Sequence, residues 1–365
     1  MRAVAQTARG LGRLCAGSCG RSRGRGLGKT WAYTCLALKS LVYNSFSSYD
    51  TMVDALFEPL FWLVDRLTRW FGLVFVALVV GLTSCVVVVG YVCVLPAILA
   101  EYGPAVSTAL ILVSNWFLIM IVFHYYKGLT TSPGYPPSGQ VDLPAVSICK
   151  RCIAPKPPRT HHCSICNRCI LKMDHHCPWL NNCVGNYNHR YFFSFCLYMS
   201  MGCAFTSITL SRTYFRTQAS SQVAPSHSPL KLLTPASTTA EPEKREDHVH
   251  NSIVFVWVLT STVSVVLGAL TLWHAALISR GETSVERHIN RKERTRLHKK
   301  GKVFRNPYHF GSLSNWKQFF GVKHRSHWLT RVLLPSGHAP QGNGLVWLPP
   351  DDWVAAHRHG PSVTV

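Results

Sequence analysis

Four stretches of this chain carry an unbroken apolar pattern of the length a bilayer demands. Phe71 to Leu95, Pro104 to Tyr125, Tyr191 to Ser211 and Ser252 to Ile278 contain no Lys, Arg, Asp or Glu. A hydrocarbon core of roughly 30 Å requires about 20 such residues in a helix. Any one of them could be a buried core helix. Four together, bounded by Arg66, Arg69, Lys127, Arg190, Arg212 and Arg280, predict four transmembrane helices. A different pattern precedes the first span. Leu56, Leu60, Leu63 and Leu67 recur at helical spacing, with Asp54, Asp65 and Arg69 off their face. This suggests either a helix lying in the membrane interface, despite Pro59, or a simple extension of the span. From Thr213 to His250 the chain is rich in Ser, Thr and Pro, a composition expected to be disordered.

Charge orients these helices. The 365 residues carry 38 Lys and Arg against 16 Asp and Glu, a formal net charge of +22. Arginines crowd the start (Arg2, Arg9, Arg13, Arg21, Arg23, Arg25), a composition that also suits a mitochondrial transit peptide. The loop from Tyr126 to His189 is basic, and the tail after Ser279 more so, whereas Pro96 to Gly103 has no Lys or Arg. The positive-inside rule therefore places both termini and the middle loop in the cytosol, with the loop from Arg212 to His250 luminal. Basic residues beside anionic headgroups are worth about 1 kcal/mol each, which accounts for most of the excess. No nucleic-acid partner is expected, because such a module needs no four spans around it.

The chemistry is concentrated in the middle loop. Between Cys149 and Cys183, 35 residues hold seven cysteines and four histidines, His161, His162, His175 and His176. The cysteines run Cys149-x2-Cys152, then Cys163-x2-Cys166-x2-Cys169, then Cys177 and Cys183. A C-x2-C step aims two thiolates at one ion, and tetrahedral Zn²⁺ takes four sulfur or imidazole ligands. Two closed sites need eight ligands; six cysteines and two histidines fill them and leave one cysteine over. The spare is expected to be Cys177, because Asp174, His175 and His176 precede it: a base to take a thiol proton and a carboxylate to orient that base. The other seven cysteines are scattered in or near apolar segments and make no disulfide framework. Zinc thiolates and a thiolate nucleophile both call for a reducing compartment, in agreement with the charge argument.

Cys149 to Cys183, continued through Pro178-Trp179-Leu180-Asn181-Asn182-Cys183-Val184-Gly185-Asn186, resembles the cysteine-rich domain of the DHHC protein S-acyltransferases, the palmitoyltransferases. The resemblance implies one zinc on Cys149, Cys152, His162 and Cys169 and a second on Cys163, Cys166, His176 and Cys183. It leaves Cys177 as nucleophile, His175 as its base and Asp174 as the orienting acid, with no ligand role for His161. The fold class it implies is an all-α polytopic membrane protein, four transmembrane helices with a cytosolic two-zinc cysteine-rich domain between spans 2 and 3. Residues 1–70 form a basic N-terminal segment, 71–125 spans 1 and 2, 126–190 the zinc domain, 191–279 spans 3 and 4 with a luminal loop over 212–250, and 280–365 a basic tail.

The implied reaction moves a long-chain acyl group from acyl-coenzyme A, the co-substrate, through Cys177 to membrane-proximal cysteines of substrate proteins. A few of the basic residues are candidates to hold the coenzyme A phosphates. Trp179, Phe192 and Phe195 are expected at the mouth of an acyl cavity, or alternatively in an interfacial aromatic belt. Gly202 is expected either at a level that sets chain length or at a close helix contact of the small-residue kind. Thr283-Ser284-Val285-Glu286 resembles the family's Thr-Thr-x-Glu segment, with Ser in place of the second Thr. Asn306-Pro307-Tyr308 to Asn315-Trp316 resembles the motif that packs the tail on the membrane domain. Both segments read as structural. The resemblance also suggests the endomembrane system, the endoplasmic reticulum favoured over the Golgi. The alternative to an enzyme is a non-catalytic membrane scaffold on the same zinc fold; it would be favoured by loss of Cys177, His175 or Asp174, and all three are present.

Overall fold

The structure, a computed structural model, describes residues 49–137, 147–223 and 240–347. The Arg-rich start lies outside them. The chain divides into two compact units, residues 1–68 and 69–365. In the first, the described residues belong to helix α1 (Tyr49–Val89), which is assigned without interruption through Pro59. Leu56 to Leu67 lie within this helix.

Among the described residues, four helices are long and apolar enough to cross a membrane: Trp70–Glu101, Pro104–Thr130, His189–Arg216 and His248–Ser279. The chain is an integral membrane protein. Span 1 is the end of α1, a wide π turn at Gly90–Val94 and α2 (Leu95–Glu101). Span 2 is α3 (Pro104–Thr130), opened by Pro at a first-turn position where a missing N–H costs nothing. Glu101 joins the far ends of spans 1 and 3 through Arg212 at 2.8 Å and Arg216 at 3.2 Å.

Span 3 lies in α4 (His189–Val223), which packs on α3 on one side and on the span 4 helix, α5 (Ala240–Ser279), on the other. Small residues allow the second contact. Ser200 donates to the Ser264 carbonyl at 3.0 Å, and the Ser207 and Ser261 hydroxyls meet at 2.6 Å. Phe117, Met120, Ile121 and Tyr125 of α3 and Phe192, Phe195, Tyr198 and Met199 of α4 form the bundle core. Outward residues such as Leu73, Leu112, Ile208 and Leu272 remain exposed, as lipid contact requires. The expected disorder over Thr213 to His250 does not extend to its ends. Both α4 and α5 project past their spans, because a nucleated helix gains one hydrogen bond for each added residue.

The all-α expectation is too simple. Three small antiparallel hairpins lie between spans 2 and 3: β1 (Ser147–Cys149) with β2 (Ala154–Lys156), β3 (His161–Cys163) with β4 (Arg168–Ile170), and β5 (His175–Cys177) with β6 (Asn182–Val184). The C-x2-C steps make the first two turns. The N–H of Cys152 donates to Cys149 Sγ at 3.4 Å and that of Cys166 to Cys163 Sγ at 3.3 Å. The next residue then turns left-handed, Ile153 at φ 51° and Asn167 at φ 52°. A β-branched residue resists that region, so the turn at Ile153 is imposed by the thiols around it.

After span 4 come α6 (Ser284–His298), α7 (Ser312–Phe320) and a short helical segment running from α8 (Ser326–Trp328) through Leu333. Phe319 and Phe320 pack on Phe193 and Ile278. Asn315 Nδ2 donates to the Ser279 carbonyl and Trp316 Nε1 to the Ser279 hydroxyl, each at 2.9 Å.

Candidate active site and metal clusters

The hairpins gather two Cys₃His groups. Cys149, Cys152, His162 and Cys169 form one, and Cys163, Cys166, His176 and Cys183 the other, with ligand atoms within 4.8 Å of one another in each. Strand register does this: His162 faces Cys169 across β3/β4, and His176 faces Cys183 across β5/β6. His162 Nδ1 lies 3.2 Å from Cys152 Sγ and 3.6 Å from Cys149 Sγ; His176 Nδ1 lies 3.3 Å from Cys166 Sγ and 3.5 Å from Cys183 Sγ. Zn–S bonds of about 2.3 Å and Zn–N bonds of about 2.0–2.1 Å give a tetrahedron whose S···N edge is about 3.5 Å. Both clusters fit zinc. His161, which points its register to Ile170, belongs to neither.

Cys177 also belongs to neither cluster, although it is 5% exposed. It ends β5, the strand that also carries His175, and both residues line one cavity. His175 Nδ1 meets Asp174 Oδ2 at 2.6 Å. Asp174 is 1% exposed and densely surrounded. Ser284 donates its N–H to Oδ1 at 2.7 Å and its hydroxyl to Oδ2 at 3.0 Å. His189 Nε2 and His274 Nδ1 each stand 3.9 Å from the carboxylate. Burial alone would push the Asp174 carboxyl up, but His189, the His175 hydrogen bond and His274 outweigh it and hold it well below the usual carboxylate range. Burial likewise opposes protonation of His175; the hydrogen bonds to Asp174 and Cys177 overcome this and raise its pKa to about 9. Such an imidazole is well suited to hold a thiol proton.

Sequence reasoning missed His189, His274 and Arg159. Both histidines sit at span ends, where nothing in the local pattern separates them from interfacial residues. It also treated the segment from Thr283 as structural, yet Ser284 touches the Asp174 carboxylate. Thr283 and Glu286 form a capping box that starts α6, and Glu286 also takes Arg159 at 2.6 and 2.7 Å. Arg159 lies between the rings of Tyr308 and Trp347, 4.5 and 4.6 Å from their centroids.

The triad opens on a cavity of about 690 Å³ inside the bundle, lined by residues of all four spans. Cys177, His175, Trp179, Phe192 and Phe195 stand at one end, and Val94, Ile98, Leu210 and Val256 line it too. Close packing fixes the mouth. A side chain on Gly72 would collide with Asn181 and one on Gly128 would press on Leu180, while Asn182 Nδ2 donates to carbonyls of Gly128, Leu129 and Thr131 at 3.0–3.3 Å. Trp179 packs on Phe75 with ring centroids 4.8 Å apart, and Phe192 stands 4.9 Å from His175. Gly202 lines the cavity, yet a Cβ there would lie 3.1 Å from Ile121 Cδ1. It is a close helix contact as well.

Comparison with known proteins agrees with this constellation. The DHHC palmitoyltransferase family profile matches residues 144–291. The mouse protein named "Palmitoyltransferase ZDHHC16" is 58% identical over 91% of this chain and 89% of its own. The human protein of that name is 56% identical over 91% and 90%, and the zebrafish "Palmitoyltransferase ZDHHC16B" 55% over 92% of each. With that identity along nearly the whole length, the chain belongs to the DHHC palmitoyltransferase family.

Proposed function

We propose that this protein S-palmitoyltransferase works by ping-pong thioester exchange on Cys177. One observation carries the reading: the cysteine of the Cys149–Cys183 stretch that is left out of both clusters stands, with His175 two residues before it, at an apolar cavity. In the first half-reaction the Cys177 thiolate attacks the carbonyl carbon of a long-chain acyl-coenzyme A. The C–S bond to coenzyme A breaks and coenzyme A leaves as a thiol. In the second, a membrane-proximal cysteine of a substrate protein attacks the Cys177 thioester. His175 takes the proton of each entering thiol and returns it to the departing sulfur, while Asp174 fixes its tautomer and stabilises the imidazolium.

Cys149, Cys152, His162 and Cys169, and Cys163, Cys166, His176 and Cys183, would each hold a zinc that ties the hairpins together, and four protein ligands per site would leave it a structural part and not a water-activating one. The cavity takes the acyl chain, each methylene contributing about 0.8 kcal/mol when buried. Because the lining continues from Gly202 to Thr206, Thr209 and Leu210, it supports a stearoyl chain nearly as well as a palmitoyl chain. Both termini and the hairpins face the cytosol, following the basic segments, and we place the protein in the endomembrane system, the endoplasmic reticulum first. Incorporation of alkyne palmitate into the purified protein tests the mechanism. Wild type should carry a hydroxylamine-labile label and Cys177→Ser none; an unlabelled wild type with intact zinc content would instead favour a scaffold.

A further inference from the structure

Lys127, Arg190 and Arg331 lie at the hairpin end of spans 2 and 3, with no carboxylate paired to them among the described residues. Arg190 opens α4, is 6% exposed, and donates Nη2 to the Tyr191 hydroxyl and to the His338 carbonyl. Its Nε and Nη1 are buried and have no partner. Arg331 donates Nη1 to the Gly321 carbonyl, beside the Phe320 carbonyl that meets His338 Nε2, and His338 is the residue whose own carbonyl takes Arg190. Lys127, in the last turn of α3, brings Nζ within 3.7 Å of where a Cβ on Gly337 would be. His124 adds two buried, unpartnered ring nitrogens, and its ring stacks on Tyr198.

None of Lys127, Arg190 and Arg331 pairs with a carboxylate among the described residues. The described stretches around this place, residues 102–137, 175–223 and 294–347, contain no Asp or Glu. Like charges gathered at a low-dielectric boundary repel, so the arrangement needs an anion from outside the described chain.

The surroundings indicate where that anion comes from. The segment after α8 lies along spans 2 and 3: Tyr198 donates to the Val332 carbonyl at 2.5 Å, and Trp116, midway along α3, to the Leu333 carbonyl at 3.1 Å. Leu329, Leu333 and Leu334 of this segment are exposed, as are Ile119, Val122 and Tyr126 on α3. A group of cations bordered by exposed apolar side chains within the span of a bilayer matches a phosphate headgroup with its acyl chains alongside.

We propose that an anionic phospholipid binds here, its phosphate held by Lys127, Arg190 and Arg331 and its chains along Leu329, Leu333 and α3. The lipid then acts as the counterion that docks the C-terminal segment. That segment follows directly on α7, whose Phe319 packs on His189 at 5.1 Å between ring centroids, so tail docking bears on the surroundings of Asp174.

The full chain in nanodiscs of phosphatidylcholine, with and without phosphatidylinositol, tests the site by thermal midpoint. Phosphatidylinositol should raise the midpoint of wild type. Each of Lys127→Gln and Arg331→Gln should need about fivefold more of it for half the shift, the equivalent of ~1 kcal/mol per cation. Lys299→Gln, which removes an exposed charge elsewhere, should behave as wild type. The proposal is overturned by equal midpoints in the two bilayers, or by an equal loss in Lys299→Gln, which would mean diffuse surface charge. Inorganic phosphate added to phosphatidylcholine discs separates the sources: a shift as large as that of phosphatidylinositol would assign the pocket to a soluble anion and overturn the lipid.

Discussion

Ser284 gives both its backbone N–H and its hydroxyl to Asp174, at 2.7 and 3.0 Å, from the first turn of a helix that begins 110 residues later in the chain. The carboxylate that meets His175 Nδ1 at 2.6 Å is thus held from outside the cysteine-rich hairpins. Hydrogen bonds to charged groups are worth about 1.5–3 kcal/mol. Ser284→Ala is expected to slow autoacylation about tenfold or more with zinc content unchanged. Ser284→Thr, which keeps the hydroxyl, should restore most of the rate. A Thr variant as slow as Ala would show that the hydroxyl bond is not what matters.

Chemistry and folding should separate at two cysteines. Cys177→Ala fills no metal position, so it should abolish autoacylation and leave zinc content and membrane insertion near normal. Cys163→Ala should lose one zinc and destabilise the hairpins, since structural zinc contributes folding free energy directly. Elemental analysis of the purified variants decides; equal zinc loss in both would remove Cys177 from its role.

Neighbouring histidines should also divide. With His175 as base and His176 as ligand, His175→Ala keeps its metal and loses the acyl-enzyme, whereas His176→Ala loses metal too. Native mass spectrometry reads both states. Full metal in the His176 variant would mean that the two roles are exchanged.

Arg159 and Glu286 form a buried pair, their side chains 4% and 9% exposed. Removing one partner leaves the other charge buried, which costs about 3–5 kcal/mol. Glu286→Gln should therefore lower the thermal midpoint more than Glu293→Gln, whose partner Arg296 is largely exposed. Similar midpoints for the two variants would show that the Arg159 pair adds nothing beyond a surface bridge.

At Gly202 the expected outcome joins the two readings. Tyrosine there must displace Ile121 and also project into the cavity lining. Gly202→Tyr should shift the ranking of acyl donors from stearoyl and palmitoyl toward myristoyl, read by competition for Cys177. An unchanged ranking in a folded variant would leave Gly202 as a packing residue alone.

Spans and cysteine groups were legible because their signals are local. An apolar run without charge must lie in a membrane or a core whatever its neighbours are, and a C-x2-C step closes a turn within four residues. For the same reason the hairpins escaped an all-α reading: each strand has three residues, too few to show a period, and the turns are shaped by thiols converging on a common point. The expected disorder after Thr213 failed at its edges because composition reports the isolated segment, not a helix already nucleated in the span before it.

What the sequence by itself determined is the inventory: four membrane helices, two sets of ligands, and one cysteine to spare beside Asp174 and His175. Only the tertiary structure decided what surrounds the triad. His189, His274 and Ser284 reach Asp174 from the start of span 3, the end of span 4 and the first turn of α6. Arg159 is fixed between Glu286, Tyr308 and Trp347. Those partners are remote along the chain and carry no periodicity of their own. Their roles follow from a buried carboxylate and a buried guanidinium needing partners in a low-dielectric interior, and that demand is met by whichever side chains the packed helices bring near.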